Sequence, residues 1–173
     1  MTEDSQTNID LYSIDKLMHE TRHLAAKYRQ ATGSTLPVTG EIARFDVAKQ
    51  LSLRLLEDMT LGHDAIGTGN RESLRILIKG RVIFGDSRSS PRIGQIKPDG
   101  RWDNVVLVLF DDNYEPVEMY EATSEDIIEA IDNKATTSKK RGAMSVAQFK
   151  IIGELVWTTE HGLETEVWDN QAD

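Results

Sequence analysis

The chain contains no cysteine, so disulfide bonds and thiolate metal sites are excluded. It also lacks any apolar run close to the roughly 18 residues that a membrane span requires. The first residues have neither the basic region nor the apolar segment of a secretion signal. We therefore expect a soluble, cytoplasmic protein that folds without disulfide bonds and does not associate with membranes.

The length of 173 residues is enough to bury a hydrophobic core, and we predict a single domain over residues 1–173. The net charge of −9 is spread unevenly along this domain. Residues 1–10 and 158–173 are strongly acidic, and we interpret them as tails. The predicted core is therefore the segment 11–157.

Two stretches of this core are basic although the whole chain is acidic. Residues 71–101 hold eight bases against three acids, and residues 134–150 hold five bases and no acid. Such local charge attracts phosphates, so we predict DNA as a partner, while solvated surface loops explain the same pattern equally well. The predicted nucleic-acid-binding residues are Arg75, Arg81, Arg88, Arg92, Lys140, Arg141 and Lys150.

Helical periodicity marks both ends of the core. Apolar residues at helical spacing predict an amphipathic helix over 11–30 and a second helix from Thr39 to Leu55. Near the other end, Ser124 is suited to cap a helix over 125–133. A capping-box spacing at Ser145 predicts a last helix that runs through Val156.

Strand patterns fill the region between these helices. A short run around Asp64 is followed by a glycine-rich turn and by an alternating run over 74–79. The continuous apolar run over 103–110 predicts a strand buried on both faces, and residues 116–121 alternate as the next strand of a hairpin. This mixture of helices and strands predicts an α/β fold of the mixed, α+β kind.

Three residues on neighbouring predicted elements suggest chemistry. Glu41 lies in the first turn of the second helix, Asp64 on the short strand, and Lys79 on the next strand beside Leu77. Taken singly, they are a helix-dipole acid, a turn acid and a sheet-edge lysine. Taken together, the acid on the helix can point to the same spot as Asp64 and Lys79.

The order of these elements resembles the PD-(D/E)xK nuclease superfamily. The phrases LPVTGEIARFDVAKQL, GHDAIG, ILIKGR, WDNVVLVLFD and RGAMSVAQFKIIGELVW are similar to a bacterial domain-of-unknown-function family of that kind. The likeness spans residues 36–157. It implies a restriction-endonuclease-like core, in which a central mixed sheet is flanked by helices, and an activity that hydrolyses DNA phosphodiester bonds.

The same resemblance implies that Asp64 and Glu41 bind Mg²⁺ or Mn²⁺ and that Asp64, Lys79 and Glu41 are catalytic. Mg²⁺ usually takes one or two carboxylates and keeps several waters, and the site is short of a ligand unless Glu41 or a backbone carbonyl supplies it. One position departs from the family pattern, because Leu77 stands where the motif has a metal-binding side chain. The alternative function is therefore a non-catalytic module of the same fold that binds nucleic acid, a protein partner or a second copy of itself.

Overall fold

Two helices begin the described chain, six strands follow, and two shorter helices lie among the last strands. The strands form a curled, mixed main sheet with helices on both faces. The computed structural model describes residues 4–86, 90–98, 100–133 and 143–164, and of residues 4–12 it describes the helical backbone only. The predicted mixed α/β class with a central mixed sheet is confirmed.

The described residues form four helices, nine strands and two short 3-10 turns. The helices are α1 (Asp4–Thr32), α2 (Thr39–Leu51), α3 (Ser124–Asp132) and α4 (Val146–Ile152). The strands are β1 (Arg54–Leu55), β2 (Ala65–Ile66), β3 (Arg75–Val82), β4 (Arg92–Ile93), β5 (Asn104–Phe110), β6 (Pro116–Thr123), β7 (Met144–Ser145), β8 (Glu154–Thr158) and β9 (Gly162–Leu163). The 3-10 turns are Met59–Leu61 and Gly69–Arg71.

The main sheet has seven strands in the order β1-β2-β3-β5-β6-β8-β9. Strands β3 and β5 run parallel, with Ile76 opposite Asn104 and Val82 opposite Phe110, whereas the other neighbours are antiparallel. Strand β5 is buried from Val105 onward, as its continuous apolar sequence predicts. Strands β4 and β7 pair separately as a small antiparallel sheet.

Two hydrophobic clusters cover the two faces of the sheet. One joins α1 and α2 to the even-numbered residues of β3, and the other joins α3 and α4 to Leu77 and Trp102. Helix α2 comes so close to the sheet that a Cβ atom on Gly80 would lie 2.6 Å from the Cβ of Ala43. Glycine at this position therefore permits the helix to pack directly on β3.

A buried ion pair on the sheet face covered by α1 and α2 connects these two helices. Both terminal nitrogens of Arg22 donate to the Asp46 carboxylate, at 2.9 and 2.7 Å, and one also donates to the carbonyl of Tyr114. The two charged side chains are only 9% and 6% exposed. Because Tyr114 lies in the turn between β5 and β6, this contact joins both helices to the central hairpin.

Several helix boundaries differ from prediction. The last helix ends at Ile152, because Gly153 has an extended backbone and the β-branched and aromatic residues after it form β8, which pairs with β6. Helix α2 ends at Leu51, where Ser52 adopts a left-handed conformation, so the prediction to Leu55 is wrong. Thr123 rather than Ser124 caps α3, since its side chain accepts from the N–H of Asp126.

The predicted acidic tails contribute to regular structure where they are described. Helix α1 begins at Asp4, and β9 extends the sheet within the segment predicted as the C-terminal tail. Within the described ranges, the helices are too short or too polar to cross a membrane. The assignment of residues 1–173 to a single domain stays a prediction.

Removing one partner of the buried Arg22–Asp46 pair leaves the other charge buried without a counter-charge. Asp46→Ala should lower the free energy of unfolding by about 3–5 kcal/mol. Asp15→Ala is the control, because Asp15 pairs with Lys49 where both side chains are about half exposed, and it should cost less than about 1 kcal/mol. Urea denaturation of both variants measures this difference, and equal costs would contradict the importance of the buried pair.

Candidate functional site

Asp64 is fixed at the edge of β3 by four contacts. Its N–H donates to the carbonyl of Ile76 at 2.8 Å, and its carbonyl accepts from the N–H of Leu56 at 2.9 Å. Its carboxylate Oδ2 accepts from the N–H of Ile78 at 2.7 Å. Since β2 is only two residues long, the Asp64 side chain satisfies a strand N–H that β2 does not reach.

The fourth contact is an ion pair with Arg44 on α2. Arg44 Nε lies 3.2 Å from Asp64 Oδ1 without the alignment of a hydrogen bond, so the contact is electrostatic. Another nitrogen, Nη1, lies 3.4 Å from Glu41 Oε2, and Nη2 donates to the carbonyl of Leu56 at 2.8 Å. The guanidinium therefore lies between the two carboxylates that the resemblance implies as metal ligands.

The two ion pairs of Arg44 differ in solvent exposure. The side chains of Arg44 and Asp64 are 14% and 13% exposed, whereas that of Glu41 is 63% exposed. An exposed pair contributes little, so Asp64 is the main counter-ion of Arg44. Glu41 remains near the first turn of α2, where its charge also suits the helix dipole.

Lys79 and Asp64 line the same cavity. The cavity has a volume of about 250 Å³ and combines two lysines with an apolar wall. Glu41 does not contribute to its lining. Its principal lining residues are His63, Asp64, Leu77, Lys79, Lys97 and Trp102.

The amine of Lys79 is partly desolvated. Burial lowers the pKa of Lys79 below its usual value, and the nearby negative charge of Asp64 opposes that change in part. Among the described residues, no hydrogen bond or ion pair closer than 4 Å satisfies this amine. A partly buried cation without a direct partner is unfavourable for folding, which is typical of groups kept for binding or chemistry.

The side chains at this site do not fit a divalent ion in the observed arrangement. Both oxygens of Asp64 already contact protein donors, and Leu77 has no ligand atom to offer. Within the described ranges, no three acidic or histidine side chains are grouped to hold an ion. The predicted binding of Mg²⁺ or Mn²⁺ by Asp64 and Glu41 stays a prediction, which requires Arg44 to release Asp64.

The described members of the predicted nucleic-acid-binding set lie on β3, β4 and α4, and two of them are engaged in ion pairs. The Arg75 guanidinium donates two hydrogen bonds to Asp103, at 3.0 and 2.8 Å, and the backbone N–H of Arg75 donates a third at 2.8 Å. These contacts lower the pKa of Asp103 to about 2. Lys150 pairs with Glu118 at 3.0 Å. Arg81 on β3 and Arg92 on β4 are exposed, and Arg88, Lys140 and Arg141 lie outside the described residues.

Sequence reasoning missed Arg44 and Lys97. A signal for Arg44 was present, because it stands three residues after Glu41, and residues three apart share one face of a helix. Its pairing with Asp64 depends on how α2 packs against the sheet and has no local signature. Lys97 reaches the cavity from the loop after β4, whose position depends on long-range contacts, such as the hydrogen bond from Trp102 Nε1 to the Lys97 carbonyl.

A larger cavity, of about 440 Å³, lies on the α2 face of the sheet and also escaped prediction. Glu121 lies in its wall and is 11% exposed. The carboxylate of Glu121 accepts from Arg71 at 2.8 Å and from Asn104 at 2.8 Å. Because these polar atoms satisfy one another, the cavity offers no unpaired charge comparable to Lys79.

No protein-family model matches the chain, and a search of curated proteins finds no significant match. The resemblance to PD-(D/E)xK nucleases therefore rests on the sequence phrases and on the order of the elements. Any assignment of function depends on the geometry around Asp64 and Lys79.

Lys79→Met tests whether this lysine costs stability. Because the folded state lowers the pKa of Lys79, protonation at pH 7 opposes folding, and the cost fades as the pH rises through the lowered pKa toward 10.5. The variant should gain unfolding free energy at pH 7, by about the 0.5–2 kcal/mol typical of a stabilising substitution. The gain should shrink as the pH rises toward 10.5 and be largely gone there. Lys97→Met, at an exposed position, should change stability by less than about 0.5 kcal/mol. A loss of stability in Lys79→Met would contradict this reading.

Proposed function

We propose that this chain is a nuclease-like module that binds nucleic-acid phosphates at the Lys79 cavity and does not hydrolyse them. The observation that carries the proposal is the ion pair between Arg44 and Asp64. It neutralises the acid that a hydrolytic site would need for its metal. The positive charge of the cavity is then left without an equal negative charge.

The balance of charges around the cavity supports an anionic ligand. Asp64 pairs with Arg44 and Asp103 with Arg75, so Asp64 offsets the charge of Lys79 only in part. Lys79 and Lys97 both line the cavity. An anion bound there would supply the counter-charge that Lys79 lacks.

Leu77 and Trp102 make part of the cavity wall apolar, and this also favours binding over hydrolysis. An apolar wall strengthens the attraction between a lysine and a phosphate, because it lowers the local dielectric constant. The same wall supplies no ligand for a metal ion. Leucine at position 77 is therefore compatible with phosphate binding and unfavourable for metal-dependent cleavage.

We also propose, as a second candidate, metal-dependent hydrolysis of DNA of the PD-(D/E)xK kind. One observation favours it, since Asp64 and Lys79 line one cavity in the order that the resemblance implies. This candidate requires Arg44 to move away from Asp64 when metal and substrate bind. The two candidates therefore differ in the behaviour of one ion pair.

Binding to DNA should depend on Lys79 and Lys97 and on salt. If each contacts a phosphate, Lys79→Met and Lys97→Met should each reduce the slope of log affinity against log salt by about 1. Fluorescence anisotropy with a labelled duplex and a labelled single strand measures these slopes. Lys16→Met, which changes an exposed lysine of α1, is the control and should leave the slope unchanged. Equal slopes in all four proteins would contradict phosphate binding at this cavity.

Cleavage assays separate the two candidates. With Mg²⁺ or Mn²⁺, we expect the unmodified protein to cleave plasmid and single-stranded DNA no faster than Asp64→Asn or Lys79→Met. Metal-dependent cleavage that both substitutions abolish would overturn the binding proposal and establish the nuclease. Calorimetric titration with Mn²⁺ gives a second readout, because Arg44→Gln removes the guanidinium and should expose Asp64 to the ion. The unmodified protein should show no such binding.

A further inference from the structure

Helix α1 carries a row of apolar side chains that nothing in the described part of the chain covers. Leu17 and Leu24 are 57% and 61% exposed, and Ile14 and Tyr28 are 41% and 39% exposed. We propose that this row, the α1 stripe (Ile14, Leu17, Thr21, Leu24, Tyr28), pairs with the α1 stripe of a second copy of the chain in antiparallel orientation. This inference is independent of the function proposed for the cavity.

The spacing of the stripe is that of a helix seam. Its members follow one another by three or four residues, which is the heptad pattern that brings two helices into contact along their length. The stripe extends over about 20 Å, at 1.5 Å per residue. Thr21, in the middle, donates its hydroxyl to the carbonyl of Leu17 at 2.7 Å, so its polar atom is satisfied within the helix. Its methyl group is left for an apolar contact.

The rest of α1 already has a packing surface, so the stripe is additional to the core. Arg22, Ala25 and Ala26 are buried against α2 and the sheet. The stripe lies beside this buried face. A surface helix that only covered the core would need one apolar face, whereas α1 has two.

The charges on α1 select a second, antiparallel copy as the occupant. By sequence, residues 4–20 of the helix hold four acids and one lysine, whereas residues 21–32 hold three bases and no acid. Asp15, Arg22 and Arg29 are paired within the chain with Lys49, Asp46 and Asp86. The complementarity therefore depends on the exposed charges, chiefly Glu20 and Lys27. Antiparallel pairing brings the acidic half of each helix beside the basic half of the other. Parallel pairing would place like charges together, which is unfavourable.

Two exposed charges next to the stripe make this complementarity specific. Glu20 and Lys27 stand seven residues apart on the same border of the stripe, so they occupy equivalent positions of successive heptads. In a two-fold antiparallel pair, Thr21 faces Leu24 of the second copy, and Glu20 lies near its Lys27. The proposed contact is therefore self-complementary in the spacing of its apolar residues and in charge.

The first experiment measures mass. Because the stripe alone is smaller than a standard protein interface, we expect a reversible dimer that dissociates at micromolar concentrations. Sedimentation equilibrium of the full chain should show dimers that Leu17→Glu plus Leu24→Glu weakens at least tenfold. Ile151→Glu is the matched control, since Ile151 is 83% exposed on α4, and it should leave the association unchanged. Circular dichroism confirms that each variant is folded.

The second experiment fixes the orientation and uses the absence of natural cysteine. A chain with Leu17→Cys is mixed with a chain with Tyr28→Cys under mild oxidation. Antiparallel pairing predicts disulfides between a Leu17→Cys chain and a Tyr28→Cys chain (unlike chains). It predicts few disulfides between two chains that carry the same substitution (like chains). In a separate set of variants, Glu20→Lys should weaken the dimer. The double variant with Glu20→Lys and Lys27→Glu should associate again.

Four results would overturn the proposal. These are a monomer at all concentrations, a dimer that the stripe substitutions leave intact, disulfides mainly between like chains, and no recovery in the charge-swapped double variant. If the stripe instead binds another segment of its own chain, the protein will be monomeric. In that case the stripe substitutions will lower the unfolding free energy without affecting mass.

Discussion

The parallel pairing of β3 with β5 is the constraint on which the candidate site depends. Two parallel neighbours cannot be joined by a tight turn, so the chain must leave the end of β3 and return to the start of β5. Residues 83–103 make this connection, and its described part contains β4 and no helix. The connection carries Lys97 and Trp102 over the sheet face that bears Leu77 and Lys79. The cavity is therefore a direct consequence of the strand order.

The short strand β2 beside β3 explains why Asp64 matters to the fold and why both of its carboxylate oxygens already have protein partners. Strand β2 is too short to satisfy the N–H of Ile78, and the Asp64 carboxylate does so instead. Its other oxygen faces α2, where Arg44 supplies the counter-charge. Through these two contacts, the Asp64 carboxylate stabilises the packing of β2, β3 and α2. For a metal to bind there, it would have to compensate for the loss of the ion pair.

Local sequence signals predicted much of this arrangement and failed where contacts are long-range. The alternation over 74–79 and the apolar run over 103–110 identify β3 and β5, because strand periodicity is a local property. The end of α4 at Ile152 was missed, since the residues that follow have a helical spacing and are recruited into β8 by β6. The order of Asp64 and Lys79 could be predicted, but the position of Arg44 between Asp64 and Glu41 could not. That position depends on the close packing of α2, which Gly80 permits.

The proposed pairing surface and the proposed phosphate site use different parts of the molecule. The α1 stripe belongs to the helical layer on one face of the sheet, whereas Lys79 lines a cavity associated with Leu77 and Trp102 on the other face. No residue of α1 lines that cavity, so pairing through α1 does not use up the phosphate site. A dimer would then present two such sites. Because a second contact within one complex occurs at high effective concentration, two weak phosphate sites could together hold a long nucleic acid more tightly than either does alone.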